Sequence, residues 1–401
     1  MTGLRDTLTH LKTLRRDLAQ ALGAETVEAP VSASTNVAAL RQVADFGTNP
    51  GRLDMRLYVP EKLPKHPALL VALHGCSQTA ATYDAGSGWS TLAERNGFIV
   101  LYPEQQRGNN PNRCFNWFVP ANTHRDSGEA LSIRQMIEQT VIAYGIGRSR
   151  IFVTGLSAGG AMTSTLLAIY PEIFAAGAIV AGLPHGSAAS MSEAMQAMSQ
   201  GRTRSVEQWG EIVRGASSHH GVWPRVAIWH GTDDHIVRAA NAESSLLQWT
   251  NVHGLPKAPA SDVTTGKHRL RLWKDGKGRN TIEVHTIAGM GHGVALAPGD
   301  QNSVGLAGPF HFDVGIASSM KILEFFGIAA PAAGRQRKTA VVADLEPVDP
   351  TEGVHGILRN AGVLNDTMTG RRRNPPLGAE VHRIINRALR SAGLLKKSDD
   401  R

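Results

Sequence analysis

The sequence predicts an α/β fold, with a mostly parallel central sheet covered by helices on both faces and a small helical insertion. Three observations carry this. Strand-like and helix-like runs alternate through most of the chain. Several strand-like runs, such as ALLVAL at 68–73 and FIVLY at 98–102, are apolar throughout instead of alternating. Strands covered on both faces require that pattern. Finally, GLSAGG at 155–160 places one serine among glycines where a strand-like run meets a helical one.

In chain order, Leu4, Leu8, Leu11, Leu18 and Leu22 stand at helical spacing, with Gly23 as a stop. An amphipathic helix that docks on the body or a partner is expected, followed by a linker over 26–40. Strands are expected at 53–59, 68–73, 98–102, 151–154, 176–181, 225–229 and 281–287. Helices are expected at 89–96, 132–144, 158–170, 240–251 and 314–326. Residues 184–223 break the rhythm and read as a helical insertion over one sheet edge. The tail repeats LRNAGVL (358–364) as LRSAGLL (389–395), two short helices with glycine at the stop. The expected organisation is therefore 1–45, an N-terminal helix and linker; 46–330, the catalytic body; and 331–401, a basic extension. The extension should be dispensable for small soluble substrates and matter for particulate substrate or surface docking.

Composition narrows the function. With 42% hydrophobic and 19% charged residues, the 401-residue chain is globular. It holds no apolar run of the roughly 18 residues a membrane span needs. The first twenty residues mix leucine with charge and contain no signal-peptide apolar core, which predicts a cytoplasmic location. The net charge of +8 is concentrated after Pro331, where 13 basic residues face 8 acidic ones, so the body gives no reason to expect nucleic-acid binding. No metal-binding or phosphate-loop motif occurs, and no metal, nucleotide or other cofactor is implied. With only Cys76 and Cys114 no disulfide framework exists. One bridge between them and two free thiols both stay open.

The serine carries the chemistry. Gly155-Leu156-Ser157-Ala158-Gly159 fits G-x-S-x-G between strand and helix, the pattern of a nucleophile elbow. Such a turn strains the serine backbone and excludes side chains two positions either side. Gly160 lets the helix approach the sheet. A serine hydroxyl needs a base to take its proton, and the expected chain order is serine, acid, histidine. Asp234, in HGTDDHIV, is the chosen acid over its neighbour Asp233. Asp126 is set aside because DSGE reads as a helix capping box with Glu129 at its third position. His292, in GMGHG after the last strand, is the base. His185, His219, His220, His235 and His285 lack its combination of order, loop position and flanking glycine. His74-Gly75-Cys76, at the end of an early strand, resembles an oxyanion turn. The main-chain amides of Cys76 and Ala158 are the expected donors. Trp117, on a loop at a carboxyl strand end, is the leading substrate contact, with His74 and Trp223 as further candidates.

Together LHGCSQTAATYD, GFIVLYPEQ, CFNWF, RIFVTGLSAGGAMTS, IWHGTDDHIV, GMGHG and FDVGIASSMKILEFFG resemble the polyhydroxybutyrate (PHB) depolymerase family of esterases within the α/β-hydrolase fold. The resemblance implies hydrolysis of hydroxyalkanoate esters by Ser157, Asp234 and His292, with Cys76 in the oxyanion hole. Feruloyl and acetylxylan esterases share these motifs and supply the alternative substrate class. A binding protein without activity is the second alternative. Many members of the family are secreted, so the resemblance sets an extracellular location against the cytoplasmic one.

Overall fold

The computed structural model describes residues 40–297 and 304–328. The expected N-terminal helix, the linker up to residue 39 and the 331–401 extension lie outside them.

The chain opens with β1 (Arg41–Val43), β2 (Asp54–Tyr58) and β3 (Ala68–Leu73), then α1 (Ala80–Ser87), α2 (Trp89–Asn96) and β4 (Phe98–Glu104). Next come α3 (Pro120–Thr123), α4 (Gly128–Tyr144), β5 (Ile151–Leu156), α5 (Ala158–Ile169) and β6 (Ala176–Val180). The insertion forms α6 (Met191–Gln200) and α7 (Val206–Arg214), ahead of β7 (Arg225–Gly231) and α8 (Ala240–Val252). A hairpin of β8 (Ser261–Thr265) and β9 (His268–Lys274) leads into β10 (Asn280–Ile287). The last elements are β11 (Val294–Leu296), β12 (His311–Asp313) and α9 (Ser318–Phe326).

Ten strands form one sheet in the order β1-β2-β4-β3-β5-β6-β7-β10-β9-β8. The six from β4 to β10 in that order run parallel, and both flanks are antiparallel. This is the α/β-hydrolase fold, as the residues predicted. β3 shows why. Leu69, Val71 and Leu73 join a core with Ile133, Met136 and Ile137 of α4 and Trp249 of α8. Ala68, Leu70 and Ala72 join an opposite core with Trp89 and Leu92 of α2 and Leu323 and Phe326 of α9. With side chains alternating across the sheet, both faces must be apolar. Each fully buried leucine contributes about 1.5–3 kcal/mol.

Three expectations change. The insertion does not cover a sheet edge: it leaves from β6 and returns to β7, both interior strands. Its helices bind α8 and the loop before it, with Gln248 Nε2 donating to the Trp209 carbonyl and the Arg238 amide to the Met198 carbonyl. The antiparallel flank β8–β9 went unpredicted: β8 is largely exposed and carries no apolar signal, although β9 alternates Leu270 and Leu272 with Arg269 and Arg271. The capping box at DSGE is absent. Ser127 caps α4 without a side-chain hydrogen bond, and Glu129 turns inward.

Candidate active site

Four loops at the carboxyl ends of parallel strands converge on the proposed chemistry, the edge where open α/β sheets bind ligands. β5 ends at Leu156, and Ser157 follows with φ 57° and ψ −117°, a conformation few L-residues adopt. Its amide donates to the Val180 carbonyl of β6 at 2.9 Å. The glycines around it are required by contact. A Cβ on Gly159 would stand 2.3 Å from the Leu73 carbonyl and 2.6 Å from that of His74. One on Gly155 would lie 2.4 Å from the Gly159 carbonyl, and one on Gly160 2.8 Å from that of Val180. The start of α5 is therefore pressed against the end of β3, bringing Ala158 beside the His74-Gly75-Cys76 turn. Ala158 is the first residue of α5, so its amide has no partner four residues back within the helix.

His74 is buried with both ring nitrogens engaged. Nδ1 donates to the Gly75 carbonyl at 2.7 Å, and Nε2 accepts from the Gln105 amide at 3.1 Å. Burial outweighs the Gly75 bond and lowers its pKa to about 4, which keeps it neutral near pH 7. The ring thus holds the turn, and its nitrogens face backbone, not the substrate contact expected of them.

Cys76 and Cys114 form a disulfide. It fastens the His74-Gly75-Cys76 turn to the loop carrying Phe115, Trp117 and Phe118. The Ser77 amide adds a bond to the Asn112 carbonyl at 2.6 Å. Glu129 supports the same loop, accepting from Gln105 Nε2 and from the amide and side chain of Asn116. Burial pushes its pKa up to about 7 against those three donors. In the loop-entropy account, a bridge across 38 residues stabilises the fold by about 4 kcal/mol. Replacing both cysteines with serine should lower the urea midpoint accordingly and reduce turnover, because Cys76 would lose its anchor. Unchanged turnover in the double variant would remove the bridge from any part in the chemistry.

Asp234 and His292 meet. His292 Nδ1 lies 2.7 Å from Asp234 Oδ2, and both residues are buried. The two loops are stitched by backbone: Asp233 N–H to Met290 O at 3.0 Å and Thr232 N–H to Ile287 O at 3.0 Å. Gly231 permits this, since a Cβ there would stand 2.1 Å from the Met290 carbonyl. Asp234 Oδ1 accepts from the amides of Ile236 and Val237 at 2.9 and 2.8 Å. A second imidazole, His230, brings its Nε2 to 3.1 Å from Oδ2. Burial works against the charge of Asp234, but hydrogen bonds from His230 and His292 outweigh it and hold the carboxyl well below its usual range. Asp233 instead takes a bond from the Thr232 hydroxyl at an exposed position.

Trp117 packs in one cluster with Ala158, Leu183 and Val237, against the partly buried Cys76 and Cys114. That places it beside the serine's helix. Trp223 belongs elsewhere: it lies edge-on to Trp249 and His219, against the core on the α8 side. Sequence reasoning missed His230 and gave Glu129 a capping role instead of its loop-supporting one. The first stood in plain view in WHGTDD, four residues before the acid. Among the described residues no helix is long and apolar enough to cross a membrane.

The chain is similar to known esterases. The sequence profile of the family described as "Esterase PHB depolymerase" matches residues 53–270. The chain is 46% identical over 297 residues to poly(3-hydroxyalkanoate) depolymerase C of Paucimonas lemoignei, covering 74% of this chain and 72% of that one. It is 36% identical over 263 residues to feruloyl esterase B of Neurospora crassa, covering 64% of this chain and 88% of the relative. An acetyl xylan esterase from Aspergillus awamori superposes with a TM-score of 0.62 at 30% identity, over 73% of this chain and all of the other.

Proposed function

The chain belongs to the PHB-depolymerase family of esterases and is a hydrolytic enzyme of the ester-cleaving type; from that premise we propose that it is a serine carboxylesterase working through an acyl-enzyme on acetyl or feruloyl esters of a polysaccharide. The observation that carries the mechanism is the 2.7 Å contact of His292 Nδ1 with Asp234 Oδ2, on loops at the same carboxyl edge of the parallel sheet as the strained serine turn. Ser157 Oγ attacks the acyl carbon while its proton passes to His292 Nε2. Asp234 holds the tautomer with Nε2 free to accept and stabilises the imidazolium that forms. The amides of Cys76 and Ala158 donate to the oxyanion. Collapse expels the alcohol, which takes the proton from His292. Water, deprotonated by the same ring, then releases the acid and restores Ser157.

The substrate class rests on the superposition of the entire acetyl xylan esterase on 73% of this chain and on the feruloyl and acetylxylan esterases among the relatives. A polyhydroxyalkanoate is the second reading, favoured by the 46% identity to the depolymerase. Incubating the full chain with acetylated xylan, a feruloylated oligosaccharide and 3-hydroxybutyrate oligomers separates them. Release of acetate or ferulate at the highest kcat/KM is the expected result, and preferential release of 3-hydroxybutyrate reverses the order.

We also propose that the protein works in an oxidising compartment. What supports this is the Cys76–Cys114 bridge, a bond that reducing cytosol disfavours.

A further inference from the structure

Two histidines serve Asp234, and the proton transfers above use one. His230 is buried on β7, one residue before its end. Its Nε2 lies 2.8 Å from the Val237 carbonyl oxygen and 3.1 Å from Asp234 Oδ2. A carbonyl only accepts, so Nε2 carries the proton and its N–H is shared between the two oxygens. Nδ1 is buried with no hydrogen-bond partner. His292 reaches the same Oδ2, while the amides of Ile236 and Val237 occupy Oδ1. A carboxylate offers about four acceptor directions, and all are taken here. The neighbouring charged groups turn elsewhere: Asp233 accepts from Thr232, and Arg238 donates to His235, all at exposed positions.

We propose that His230 is a positioning residue for the reaction, pinning Asp234 Oδ2 and the Val237 carbonyl with one N–H so that the carboxylate faces His292 and gives up part of its basicity. The inference rests on the Ser157–His292–Asp234 reading. Its physical content is competition. Two donors on one oxygen each receive a weaker bond than either would alone, so removing His230 should strengthen the hold of Asp234 on the imidazolium while letting the carboxylate swing.

The test compares His230→Leu, which has no donor, with His230→Gln, whose Nε2–H can stand where the imidazole Nε2–H does. For His230→Leu, kcat should fall roughly tenfold or more with KM little changed. The acid limb of its kcat/KM profile should move up by about half a pH unit. His230→Gln should stay within about threefold of the parent, with the limb in place. A merely structural histidine would lower thermal stability in both variants and move neither limb. If His230→Leu does not fold, His230→Met serves, since a thioether donates no proton. An unmoved limb in the donorless variant, or equal loss in the glutamine variant, overturns the proposal. Ser157→Ala is assayed alongside. If it keeps turnover, the underlying reading fails; if it loses turnover while the donorless limb stays put, only the role of His230 fails.

Discussion

Replacing Ser157 with alanine is expected to abolish hydrolysis of p-nitrophenyl butyrate, a loss on the order of 10⁴–10⁶ in kcat with the protein still folded. The hydroxyl is the only group at the elbow proposed to form the acyl bond, and no neighbouring side chain replaces it. Circular dichroism and a thermal melt establish that the variant is folded, and a steady-state assay reads the loss. Retention of even a tenth of the parent rate would exclude Ser157 as nucleophile. The same site makes a second, opposite statement about stability. With φ at 57° and ψ at −117°, any L side chain at 157 is strained, at a cost of about 1–3 kcal/mol. Glycine tolerates that geometry, although it adds freedom to the unfolded chain. Ser157→Gly should therefore be as inactive as Ser157→Ala yet melt higher than it. Equal melting temperatures would mean the strain is relieved elsewhere. In the proposed mechanism the elbow holds a reactive oxygen at the strand end, and its backbone pays for that placement in stability.

Asp234→Asn carries the second large effect. Asparagine keeps the shape but presents an amide to His292, which favours the wrong tautomer and leaves the imidazolium without its counter-charge. Turnover should fall by about 10³–10⁴, as comparable substitutions do in other serine hydrolases. Stability should change in a pH-dependent way. The hydrogen bonds from His230 and His292, set against burial, depress the Asp234 carboxyl below its ordinary value of 3.8. A depressed acid contributes stability that is present above its unfolded pKa and is lost as pH falls toward its folded one. The gap in urea midpoint between parent and Asp234→Asn should thus be widest near pH 7 and close progressively below about pH 4. Midpoints at pH 7, 5 and 3 check this. A gap that stays constant across them would show that the carboxylate's charge contributes nothing to the fold.

What could be read along the chain were features whose cause lies within a few residues. Gly155, Gly159 and Gly160 announced a turn too tight for side chains, and the structure shows the backbone atoms a Cβ would strike. ALLVAL and FIVLY announced strands covered on both faces because side-chain alternation leaves no polar face to show. Chain order, loop position and flanking glycines together narrowed sixteen histidines to one, and His292 does reach Asp234.

Tertiary structure alone decided the rest. It joined Cys76 to Cys114, which required two loops to meet across the top of the sheet. It turned Glu129 away from its own helix end and toward Asn116 and Gln105, since three inward donors satisfy a carboxylate better than one cap. It gave the rings of His74 and Trp223 to backbone and core, and it set His230 on Asp234. The dividing line is physical: backbone geometry and burial on a strand are local properties of the chain, whereas the partner of a polar group is whichever donor or acceptor folding brings within three ångströms.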